Sequence, residues 1–178
     1  MVTATPTRKR LLVVDDDRLI VRMLHDLFAN DFDVLTAGGG REALELLGHE
    51  QVNAVLCDNM MPEVSGIEVL RQCATAQPKA VRILITASER VQDASDAVNV
   101  ARVHRFIVKP FRPVEVSGIV HGALREAELE RENEALVSEL QLVLEQVRAR
   151  ERELEIELDV RTRELKAVMD HLMEKPKT

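Results

Sequence analysis

Tryptophan and tyrosine are absent from the 178 residues, and four phenylalanines are the only aromatic side chains of that class. All four, with all seven glycines, fall before residue 123. Residues 123–178 thus have neither, and 25 of them are charged (10 Lys/Arg, 15 Asp/Glu). That composition excludes a second ordinary core and points to a long polar helix behind one globular domain. Only two cysteines occur, Cys57 and Cys73, and they have no metal-ligand spacing. The five histidines are equally scattered, so no role is assigned to them. A reduced, cytoplasmic protein is the expectation. No apolar run approaches 18 residues, which argues against a membrane span, and "MVTATPTRKR" has no apolar stretch for a secretory signal. A positive balance is missing too. At net charge −7 the chain is a poor match for a nucleic-acid backbone.

What is present first is a rhythm. Short apolar runs recur at "LLVV" (11–14), "DVLTA" (33–37), "AVLC" (54–57), "RILIT" (82–86) and "RFIV" (105–108). They are continuous rather than alternating, as expected of parallel strands covered on both faces. Helical spacing fills the gaps: Leu19, Ile20, Met23, Leu24, Leu27 and Phe28, then Ala43, Leu44 and Leu47, then Ile67, Val69, Leu70 and Cys73. "ASDAVNVA" (94–101) is a weaker fourth helix, and a fifth starts at Pro113 with no obvious stop. The predicted fold is α/β: a five-stranded parallel doubly wound, flavodoxin-like sheet with five helices, the last continuing into a long coiled-coil helix. The predicted division is a flexible N-terminus over 1–8, a globular domain over 9–122, a signalling helix over 123–174 and a disordered end over 175–178.

Charge gathers where the strands stop. "LLVVDDDRLI" sets Asp15, Asp16 and Asp17 directly behind four aliphatic residues. Neighbouring carboxylates repel by about 3 kcal/mol at 5 Å and an effective dielectric near 20, so the cluster calls for a counter-charge. Asp58 follows the third strand, Thr86 ends the fourth and Lys109 ends the fifth. In a doubly wound sheet these carboxyl ends share one edge, where functional groups collect. A structural acid cluster, or a helix cap at Asp16 or Asp17, is the plainer alternative; Asp17 reads as a cap or a solvated residue.

"LLVVDD", "VLCDNMMPEVSG", "ILITA" and "FIVKPF" occur in order and at suitable separations, and residues 8–122 resemble the receiver domain of two-component response regulators. The resemblance implies a phosphoryl group accepted on Asp58 from a histidine kinase or phosphotransfer protein, with Mg²⁺ as cofactor. Asp15, Asp16, Asp58 and the Met60 backbone carbonyl would serve the metal. Thr86 and Lys109 would contact the phosphoryl oxygens. A hard octahedral ion suits such oxygen ligands, and an acyl phosphate suits a carboxylate nucleophile. No enzymatic activity is expected beyond self-catalysed phosphotransfer and autodephosphorylation. Phe106 stands where the family carries its switch aromatic, paired with Thr86; core packing is its rival role. Met60 and Ser88 would flank the path of a hydrolytic water, or Met60 merely fills a gap. Pro110 is a cis-proline candidate by the same resemblance. Ser65 departs from the aspartate that many receivers carry there, and "ARVHRFIVKPF" is similar to the variety found beside cyclase, kinase and phosphodiesterase modules.

In the tail, Leu129, Asn133, Leu136, Leu140, Val143 and Val147 alternate steps of four and three, the seam of a coiled coil. After a stutter, Leu154, Leu158, Arg161, Leu165, Val168 and Leu172 resume it. A helix of about 60 residues reaches roughly 90 Å and is not stable alone with one apolar stripe in water. Asn133 at a seam position favours a parallel homodimer; folding back onto the domain or antiparallel pairing are the alternatives. A basic DNA-reading zipper is excluded by the interleaved glutamates and the net −5 of residues 123–178. Two further readings are a receiver-plus-linker fragment of a larger signalling enzyme (cyclase, phosphodiesterase or kinase) and a non-phosphorylated structural dimer. The downstream protein is unknown.

Overall fold

The computed structural model describes residues 8–87, 99 and 101–173, with side chains through Asp170. Ser88, both chain ends, the Leu172 side chain and most of the helix expected over 94–101 lie outside those residues. Within it the order is β1 (Arg10–Val14), α1 (Arg18–Phe28), β2 (Asp33–Ala37), α2 (Gly40–His49), β3 (Ala54–Asp58), α3 (Gly66–Ala76), β4 (Val81–Thr86), β5 (Arg105–Val108) and α4 (Pro113–Met173). The five strands form one parallel sheet in the order β2-β1-β3-β4-β5. Chain direction across the sheet reverses between β1 and β3, which opens a crevice at their carboxyl ends.

The unbroken apolar runs of β1, β3 and β4 have the predicted cause. The edge strands β2 and β5, expected to be covered on both faces as well, are only partly buried because each lacks a neighbouring strand on one side. Leu11, Val13, Leu56, Ile83 and Ile85 point to one side, where Phe28 of α1 and Val116, Val120 and Leu124 of α4 close over them. Leu12, Val14, Val55, Cys57 and Leu84 point to the other, against Leu47 of α2 and Val69, Leu70 and Cys73 of α3. A strand sandwiched this way has no face left for water. Two buried polar side chains settle the backbone behind the sheet. The Gln77 carboxamide accepts from Val52 N (2.9 Å) and donates to Leu47 O (3.0 Å) and Glu50 O (2.7 Å). Arg82 donates to the carbonyls of Ala80 (2.7 Å), Arg102 (3.1 Å) and Pro78 (3.3 Å).

The chain divides into two units between Glu128 and Leu129. Ala123 and Leu124, placed in the tail segment by composition, are buried in the first unit's core, and Ala127 packs against it. Their apolar spacing continues that of Val116 and Val120, which charge counting does not register. The second unit is helical through Met173, and its predicted seam residues from Leu129 to Val168 are exposed in the single chain. Among the described residues no helix is long and apolar enough to cross a membrane.

Candidate functional site

Parallel pairing sets β1 beside β3 with Val14 level with Cys57, so Asp15 and Asp58 leave adjacent strand ends. Both carboxylates are buried. Lys109, just past β5, reaches across to them. Its Nζ lies 2.6 Å from Asp58 Oδ1 and 3.1 Å from Asp15 Oδ2. One partly buried ammonium thus bridges two buried carboxylates that are 43 residues apart in sequence. The remaining oxygens are also held: Asp58 Oδ2 accepts from Met60 N (2.7 Å), and Asp15 Oδ1 accepts from Asp17 N (2.8 Å). Asp17 in turn caps α1, its side chain accepting from Leu19 N (2.8 Å). Asp16 is exposed at the rim.

The charges do not cancel. Burial pushes the Asp15 carboxyl above the usual aspartate range; the Asp17 amide and Lys109 pull it down, and the Asp58 charge pushes it up again. Burial likewise works against the Lys109 cation, but hydrogen bonds to Asp58 and Asp15 more than offset it and hold the ammonium above its ordinary value of 10.5. Next to Asp58, burial raises the Cys57 thiol well above its usual value, and the thiol donates to the Asp58 carbonyl (3.3 Å), so Cys57 is a neutral wall of the site. Two buried carboxylates against one ammonium leave an excess of negative charge open to the exposed Asp16.

Thr86 ends β4, buried, and its carbonyl accepts from Lys109 N (2.7 Å). The Lys109–Pro110 peptide is cis. Phe106 of β5 is 39% exposed while its neighbour Ile107 is buried. Met60 is 74% exposed, so it fills no gap. Asp15, Asp58, Thr86 and Lys109 therefore share one strand-end crevice, Asp16 and Met60 stand at its rim, and Phe106 lies on the edge strand. The seam residues belong to the separate tail unit.

Residues 11–121 match the family of the response regulator receiver domain. The chain belongs to this family. Among curated relatives, the receiver resembles the hydrogenase transcriptional regulatory protein HoxA of Bradyrhizobium diazoefficiens, 33% identical over 124 residues, covering 70% of this chain and 26% of that protein. It also resembles the alkaline phosphatase synthesis transcriptional regulatory protein PhoP of Bacillus subtilis, 33% identical over 68% of this chain and 50% of that one. The chain thus spans half or less of these relatives' length. Among solved structures it is similar to the signal receiver domain of an HD domain-containing protein from Pseudomonas fluorescens Pf-5 (TM-score 0.65, 26% identity, 74% of this chain and 97% of that one). It is also similar to an adenylate cyclase from Rhodopirellula baltica (TM-score 0.66, 27% identity, 74% and 98%).

The receiver's crevice has a further determinant that sequence reading passed over. Gly66 opens α3 with its Cα against the loop that follows Asp58. A Cβ there would stand 2.1 Å from the Asp58 carbonyl oxygen and 2.8 Å from its carbon. Ser65 just before it caps the helix, its hydroxyl accepting from Glu68 N (3.4 Å). Glycine at this place is a demand of close approach, and its trace in the sequence was the "SG" that ends "VLCDNMMPEVSG". Gly66→Ala should cost about 1–3 kcal/mol by overpacking, read as a lower denaturation midpoint. The equivalent change at Gly48, which lies in α2 with open space around it, should instead raise the midpoint slightly, by about 0.4–1 kcal/mol of stability.

Proposed function

We propose that this receiver accepts a phosphoryl group on Asp58 from a histidine kinase or phosphotransfer protein, and signals through pairing of its C-terminal helix. The observation that carries the reading is the Lys109 ammonium held between Asp15 and Asp58 at the ends of β5, β1 and β3. As the Asp58 oxygen bonds to phosphorus, the P–N bond of the donor phosphohistidine breaks and the departing imidazole keeps the electron pair. Asp58 is oriented for that attack by the Met60 amide and by Lys109. Lys109 then faces the phosphoryl oxygens, and the Thr86 hydroxyl offers them a donor. This is self-modification, not turnover of a separate substrate.

Mg²⁺ is the proposed cofactor, because the crevice offers hard oxygens of the kind it takes: Asp15, Asp16, Asp58 and the Met60 carbonyl. Among the described residues no three acidic or imidazole groups gather as a complete cage. That agrees with an ion that keeps several waters and completes its shell with phosphate oxygens. When bound, it would neutralise charge on the transferring group. A cytoplasmic setting is proposed because both described cysteines are free and buried.

Incubation with acetyl phosphate and Mg²⁺, read by intact mass and solution molecular weight, tests the reading. Uptake of one phosphoryl group that needs Mg²⁺ is expected; no uptake under any small phosphodonor overturns it. Because Met60 stands exposed at the rim, an apolar side chain there screens the acyl phosphate from water. Met60→Asn should shorten the half-life of the phosphorylated form by roughly two- to tenfold, within the range ascribed to positioning one water or proton. The likeness to the receiver of an HD domain-containing protein favours a second reading, in which domain and helix form the control region of a larger signalling enzyme. The open reading frame past Thr178 decides between them.

A further inference from the structure

We propose that along residues 136–147 two tail pairs merge into one four-stranded bundle, so that the partner of this stretch is a second pair of the same chain. The proposal rests on the paired seam of the preceding section and raises its copy number. Leu136, Leu140, Val143 and Val147 fill the two seam positions of each heptad. Val137 and Leu144 follow the seam positions 136 and 143 by one residue, and they are 47% and 53% exposed in the single chain. They widen the apolar stripe from two positions per heptad to three, more than a two-stranded seam covers.

Charge pattern points the same way. In a parallel pair, this flank position faces the residue five earlier on the partner helix. Val137 would then face Glu132 and Leu144 would face Glu139, which makes no ion pair and leaves apolar surface wet. In a four-stranded bundle the flanks turn inward and that apolar surface is removed from water, which is favourable. One layer of the seam agrees: Leu140 and Val143 set a γ-branched residue at the first seam position and a β-branched one at the second, the order that favours higher assemblies, whereas Leu136 and Val147 keep the reverse order. Asn133, one heptad earlier, is suited to pairing two by two. Further down, Arg150, Arg161 and Arg163 pair with Glu153 (2.7 Å), Glu164 (3.4 Å) and Asp159 (2.7 Å) of their own helix, and the apolar flank gives way to Glu151. Two successive apolar flank residues occur only at Val137 and Leu144; in the lower seam Met169 alone repeats that position.

Sedimentation or light scattering on the full chain decides, with circular dichroism to confirm helix content. Wild type should run at four times the 20.0 kDa chain mass. A Val137→Gln, Leu144→Gln double variant should fall to twice that chain mass with its helix retained, whereas Leu136→Gln with Leu140→Gln should give single chains. Wild type at twice the chain mass, unmoved by the flank variant, overturns the four-stranded bundle and leaves the paired tail standing. A four-fold mass that the flank variant does not lower overturns it as well. Wild type at the single-chain mass removes both the bundle and the pairing on which it rests.

Discussion

Asp58→Asn should abolish the Mg²⁺-dependent phosphoryl uptake while leaving the domain folded. The amide is no nucleophile of comparable strength, and no other carboxylate in the crevice combines burial with the Lys109 and Met60 amide contacts that orient Asp58. Asp15 is the nearest candidate, but it lies at the far side of Lys109, with its second oxygen engaged by the Asp17 amide. Stability should change by less than about 1 kcal/mol, since Asn is isosteric and Lys109 keeps Asp15 as its partner. The Asp15 carboxyl should titrate lower in the variant, because the Asp58 charge is one of the causes that raise it. Intact mass after acetyl phosphate treatment checks the first point, and carboxyl titration by NMR the second. Phosphoryl uptake by the variant at the wild-type rate would move the acceptor elsewhere.

Lys109→Met should be the most destabilising single change at the site. It leaves Asp15 and Asp58 buried, close and without their common cation. Removing one partner of a buried ion pair costs about 3–5 kcal/mol; Lys109 is 26% exposed, so roughly 2–3 kcal/mol is expected here, a fall of about 10 °C in midpoint. Because the folded-state value of Lys109 is raised, its stabilising contribution is complete below pH 10.5 and is lost as pH rises through the folded value. The variant should lack that alkaline loss. On the acid side the sign is opposite. The raised value of Asp15 opposes folding at neutral pH, and this penalty is relieved as pH falls toward 3.8. The variant, with less positive charge nearby, should show that relief more strongly. It should also gain more midpoint from added Mg²⁺ than wild type does, since a divalent ion then supplies the missing charge. Denaturation midpoints across pH, with and without Mg²⁺, test all three points, and identical profiles for the two proteins would remove Lys109 from the electrostatic account.

The inner strands β1, β3 and β4 were legible because burial on both faces forces continuous apolar runs, and the strand ends were legible because charge stops those runs; β2 and β5 carry apolar runs too but are only partly covered. Asp15, Asp58, Thr86 and Lys109 could be brought to one edge on paper for that reason alone. Their arrangement was not readable: that Lys109 bridges both carboxylates is a matter of reach across the sheet, which spacing does not encode. Gly66 was missed because its role is a backbone contact with residue 58, invisible to any pattern of side-chain types. The boundary near residue 122 came from charge density, whereas the core follows apolar spacing through Leu124 and Ala127. Gln77 and Arg82 were given no role from the sequence, since hydrogen bonds to carbonyls distant in sequence leave no local trace.

The Gly66 contact also gives the crevice a stiff back. With the start of α3 pressed against the carbonyl of Asp58, that residue has no slack on this flank, and compression there is resisted by hard repulsion.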